Sequence, residues 1–151
     1  MDKGIYCLVF RNPACTVVVG ALGTVKFPAG FHIYIGTALG SGGLKRLERH
    51  FRLACGEQKR PKWHVDYILT HPRFLLVYAI SAPTTERLEC RFAGTLSGDG
   101  VDGFGCSDCA CTSHFLYRNF DPKEEISHAF RCLGLHPVIK TMITKEVKGN
   151  I

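Results

Sequence analysis

Apolar residues fall along the chain in two rhythms, short continuous runs suited to strands and stripes at i, i+3, i+4 suited to helices, with glycine and proline between them. Residues 4–10 read as a mostly buried strand, closed by Arg11, Asn12 and Pro13. Residues 16–19 and 24–27, separated by Gly20 to Gly23, predict a hairpin. Pro28, Ala29 and Gly30 then turn the chain into a strand through His32, Ile33, Tyr34 and Ile35. Gly36 opens a glycine-rich turn, and Ser41 is the expected N-cap of a helix whose Leu44, Leu47, Phe51 and Cys55 form an apolar stripe ended by Gly56. Arg46 and His50 share another side of this helix one turn apart, so a guanidinium and an imidazole are expected to look out together near the end of the Tyr34 strand.

Further on, Pro61 suits a first helical turn, and Val65, Ile68 and Leu69 make a short stripe stopped by His71 and Pro72. Residues 74–80 are the clearest buried strand, and residues 81–85 lead to a helix with Leu88, Phe92 and Leu96 inward and Glu89 beside them. Residues 97–108 read as a loop, 115–117 and 138–139 as strand-like, and Asp121 to Glu124 as the start of a helix carrying Ile126, Ala129, Phe130 and Leu133 up to Gly134. The elements predict one α/β (α+β) domain over 1–151, a small antiparallel sheet flanked by helices. Its core is expected at about 4–96, with a C-terminal extension at about 97–144.

Composition changes this picture little, since 46% hydrophobic and 21% charged residues suit an ordinary globular domain. The apolar runs are strand-sized and the first residues lack a secretory pattern, so a cytoplasmic protein without membrane contact is expected. Charge changes it more. Of the net +6, an excess of five lies within residues 45–62, where Lys45, Arg46, Arg49, Arg52, Lys59, Arg60 and Lys62 outnumber Glu48 and Glu57. A solvated helix face with a Glu48–Arg52 pair is the plainer account. The excess nevertheless abuts Arg46 and His50, as expected of a surface that neutralises nucleic-acid phosphates.

Gly4-Ile5-Tyr6, then Tyr34-Ile35-Gly36, then the helix with Arg46 and His50 resemble the GIY-YIG nuclease superfamily in motif, order and the four-residue Arg-to-His step. Trp63-His64-Val65-Asp66-Tyr67 and residues 103–109 resemble a little-characterised prokaryotic branch of it, sometimes fused to an endonuclease III-type glycosylase; the resemblance spans about residues 4–120. It implies a metal-dependent endonuclease hydrolysing DNA phosphodiester bonds in repair or recombination, with RNA left open as substrate and a DNA-repair protein as a further partner. On this resemblance Tyr6 is the general base or water-positioning phenol, Tyr34 hydrogen-bonds the phosphate or orients Tyr6, Arg46 grips phosphate oxygens, and His50 relays a proton or supports the nucleophile. Glu89 is the expected ligand of one Mg2+ or Mn2+ ion, with Glu86 on the same helix as the alternative. Two departures stand out: the tyrosines are 28 positions apart, which implies an inserted hairpin, and no asparagine follows the glutamate closely, since Asn119 is 30 positions on.

Eight cysteines without a secretory signal argue against a disulfide framework. Cys106 and Cys109 have the two-residue gap of a zinc knuckle, and Cys111 and His114 would complete four ligands for a structural Zn2+, although all four lie within nine residues. Free or redox-sensitive thiols are the alternative, and Asp108 and His114 are equally placed to face the catalytic pocket. Beside the nuclease stand two other readings, a nucleic-acid-binding module of the same fold that cleaves nothing and a zinc-stabilised protein adaptor.

Overall fold

The computed structural model describes residues 2–57, 60–101, 104 and 113–142. Its centre is the strand β1 (Gly4–Asn12), whose alternate side chains feed two separate apolar clusters. Tyr6, Leu8 and Phe10 face one layer; Ile5, Cys7 and Val9 face the other. A strand buried on both faces needs a continuous apolar run, which is the pattern the sequence carries there.

Two antiparallel partners flank β1: β4 (Gly30–Ala38) and β5 (Leu75–Pro83). With β6 (Phe115–Arg118) beyond β4 and β7 (Val138–Thr141) beyond β5, the sheet has five strands in the order β6-β4-β1-β5-β7. The predicted hairpin is present as β2 (Cys15–Val18) and β3 (Thr24–Phe27), a two-stranded sheet of its own between the two tyrosine motifs. The mixed α+β class, with an antiparallel sheet flanked by helices, is thus the architecture of the chain.

Helices cover both faces. On the Tyr6 side pack α1 (Arg46–Ala54), α2 (His64–Leu69) and the hairpin, and on the Ile5 side α3 (Glu89–Leu96) and α4 (Lys123–Cys132). Helix α1 starts later than the sequence suggests: a 3-10 turn over Gly43–Lys45 precedes it, and its N-cap is Lys45 instead of Ser41. Helix α3 also starts later, so that Glu89 opens it and the exposed Glu86 lies outside it. Gly56 follows α1 with φ +106°, the left-handed turn its glycine permits. No helix among the described residues is long and apolar enough to cross a membrane.

Candidate active site

Strand β6 covers only the first half of β4. Their pairing ends at Tyr34 opposite Phe115, the Ile35 N–H donates to the His114 carbonyl, and no strand among the described residues lies outside residues 36–38. A cleft of about 980 Å³ runs along this uncovered edge. Its floor is Tyr34 to Thr37; Arg46, Lys62, Trp63 and His64 come from the α1–α2 layer, and Arg87, Glu89 and His114 from the other side of the sheet. Among the described residues, three of the charged lining residues are cationic and Glu89 alone is anionic, a balance that favours an anion.

Behind the floor, Tyr6 is paired across the sheet with Gly36, and its hydroxyl lies 2.8 Å from His50 Nε2. The resemblance gives Tyr6 a place next to water, yet its ring is 1% exposed and does not line the cleft. Burial, and next the adjoining Tyr34, raise its pKa well above that of an ordinary phenol, while Arg46 pulls in the opposite direction. His50 corrects the expectation drawn from helical spacing. It does not look out beside Arg46 but is fully buried, because α1 turns that side toward Tyr6 and Trp63. Desolvation lowers its pKa to about 3, so the ring is neutral near pH 7 and able to share a proton with Tyr6.

Arg46, at the first position of α1, donates from Nη1 to the Thr37 carbonyl at 2.7 Å. The same guanidinium acts on the Tyr6 phenol and lines the cleft. Glu89 lies at the first turn of α3, nearly buried, and its Oε2 has no hydrogen-bond partner among the described residues. An ionised carboxylate in that state is costly unless something reaches it. Glu86, the alternative, does not line the cleft.

The basic stretch divides by role. Arg49 binds both carboxylate oxygens of Asp66 at 2.9 Å, and Asp66 also accepts from the Lys62 and Trp63 backbone N–H groups. Burial opposes ionisation of Asp66, but the Arg49 fork and these backbone donors outweigh it and hold the pKa below the usual carboxylate range. Arg49 is thus a structural ion pair tying α1 to the start of α2. Arg52 pairs with Glu57 at 3.2 Å instead of Glu48, while Lys45 and Arg60 are exposed outside the cleft lining. Of the expected phosphate contacts beyond Arg46, Lys62 alone among the described residues lines the cleft; Lys59 lies outside them.

Cys106, Cys109 and Cys111 of the expected zinc set also lie outside the described residues. His114 lines the cleft, its Nε2 3.8 Å from Cys90 Sγ. Among the lining residues without a functional assignment in the sequence are Trp63, which follows the basic stretch directly, and Arg87, two residues before Glu89.

Neither a curated protein nor a solved structure matches the chain. A family model does, over residues 5–135, from the β1 strand to just past α4. The match takes in every element lining the cleft, and the chain belongs to the family described as Domain of unknown function DUF123.

Proposed function

We propose that the chain is a metal-dependent endonuclease that hydrolyses DNA phosphodiester bonds, as its GIY-YIG-like motifs imply. The observation that carries this reading is Glu89: a nearly buried carboxylate oxygen without a hydrogen-bond partner among the described residues, lining the same cleft as Arg46 and Tyr34. A single oxygen donor suits a hard cation that keeps most of its waters, and no group of three His, Cys, Asp or Glu side chains converges among the described residues. Mg2+ or Mn2+ at Glu89 fits that donor set, and when bound would supply charge stabilisation at the phosphate and a more acidic water.

The residues of the chain divide the remaining work. Arg46, anchored on Thr37, presents N–H groups to non-bridging phosphate oxygens as charge builds on them. Tyr34 offers its phenol from the cleft floor to the phosphate or the attacking water. Tyr6 and His50 stand one layer behind. In the Nδ1–H tautomer of His50 the phenol donates to Nε2, and this neutral imidazole is an acceptor for the Tyr6 proton. The burial of Tyr6 favours a second reading, a module that binds nucleic acid in the cleft without cutting it.

Cleavage of labelled single-stranded, duplex, flapped and branched DNA with Mg2+ or Mn2+ decides between them, comparing wild type with Arg46→Ala and Glu89→Gln. Cutting lost in both variants supports the nuclease. No cutting by any of the three, with salt-sensitive DNA binding, establishes the binding module in its place.

A further inference from the structure

Trp63 is the sole tryptophan of the chain, and three cations gather on its ring. The guanidinium carbons of Arg49 and Arg46 lie 4.5 and 4.8 Å from the ring centroid, and Lys62 Nζ lies 4.9 Å from it. Like charges this close repel unless something compensates them. Asp66 does so for Arg49 alone, through both of its oxygens. Arg46 bonds the neutral carbonyl of Thr37, and neither it nor Lys62 has a carboxylate partner among the described residues. Two charges without a carboxylate partner among the described residues therefore stand over one indole in the cleft wall, where the negative face of the ring offsets them. The ring is itself fixed, since Asp66 accepts the Trp63 backbone N–H at 3.1 Å and the His50 ring meets the indole edge-on at 6.1 Å.

We infer that Trp63 is a positioning residue that assembles Arg46 and Lys62 into a preformed site for one phosphate group of a nucleic-acid strand. This rests on the nucleic-acid reading of the cleft and adds the group that holds its cations together. The ring serves charge and not base stacking, because a stacked base would have to displace cations already seated on it.

The test is binding of a fluorescein-labelled single-stranded oligothymidylate in EDTA, across a series of NaCl concentrations, to wild type, Trp63→Phe and Trp63→Leu. Far-ultraviolet circular dichroism and thermal melting establish that each variant is folded. Trp63→Leu is expected to bind about five- to tenfold more weakly, with a salt slope shallower by about one. Trp63→Phe keeps a ring face and is expected to stay within about threefold of wild type with its slope unchanged. Wild-type affinity and slope in a folded Trp63→Leu, or equal loss in both variants, overturns the inference. Emission from Trp63 in the wild type is a second readout: it must change as the oligonucleotide binds, and unchanged emission alongside binding seen by anisotropy overturns the inference without any variant. Because EDTA removes cleavage from the experiment, failure of the nuclease reading leaves these outcomes legible; absence of any wild-type binding sinks the nucleic-acid reading and this inference together.

Discussion

Gly36 stands directly across the sheet from Tyr6, and a methyl group on Gly36 would lie 2.6 Å from both Cζ and the hydroxyl oxygen of that tyrosine. The phenol crosses the partner strand where no side chain is present, and so reaches His50. The glycine of Tyr34-Ile35-Gly36 is thus the space that the tyrosine of Gly4-Ile5-Tyr6 occupies. Gly36→Ala is expected to displace the ring, break its bond to His50 and cost about 1–3 kcal/mol, read by denaturant melts. Gly42→Ala is the control: its backbone is α-helical and a Cβ there meets nothing within 4 Å, so stability should be unchanged or slightly raised.

Glu89→Gln should separate function from stability. The carboxylate is nearly buried with one oxygen unpartnered, so neutralising it is expected to leave stability level or raise it by up to about 1 kcal/mol. Cleavage should fall by about 100-fold or more. Melts with and without Mn2+ check the same point, because the ion should stabilise wild type and not the variant.

Breaking the Arg49–Asp66 pair should act on the fold first. Asp66→Asn removes a buried charge that holds Arg49 and the start of α2, with an expected loss of about 2–4 kcal/mol in urea melts. Arg52→Ala, whose partner Glu57 sits at a more exposed pair, should cost less than about 0.5 kcal/mol.

Acid should weaken the fold through two buried histidines. Desolvation lowers His50 to about 3 and His32 to about 4, from 6.5. The unfolded chain therefore binds more protons than the native one between those values and 6.5, so stability rises with pH in that window and is level above it. As pH drops below 6.5, each histidine should remove up to about 1.4 kcal/mol per pH unit. His50→Gln should lower the wild-type acid slope across pH 4–6 in denaturant melts by roughly half, with His32 supplying most of the remainder and the lowered His64 and His71 adding to it.

The architecture was legible where burial is decided locally. The continuous apolar run of β1, the alternating hairpin segments and the stripe Leu88, Phe92, Leu96 each state their own environment, and the structure has them in those places. The site was legible only in part. Helical spacing placed Arg46 and His50 one turn apart but could not tell which side of α1 the sheet would cover, and His50 is buried. The basic stretch likewise gave no sign that Arg49 would be claimed by Asp66 seventeen residues away, because that pairing depends on how α2 packs against α1. Trp63 was hidden for a similar reason: its three cations come from two elements that only the fold brings together.

The bond from Arg46 to Thr37 has a consequence for how molecules of this protein meet one another. Where β6 stops, β4 has no strand partner on that side among the described residues, an edge of the kind through which one sheet extends another, and the guanidinium occupies the carbonyl of Thr37 there. The arginine proposed to meet phosphate is therefore also placed to guard against edge-to-edge self-association. A chain that loses it should gain a sticky flank, whatever happens to binding in the cleft.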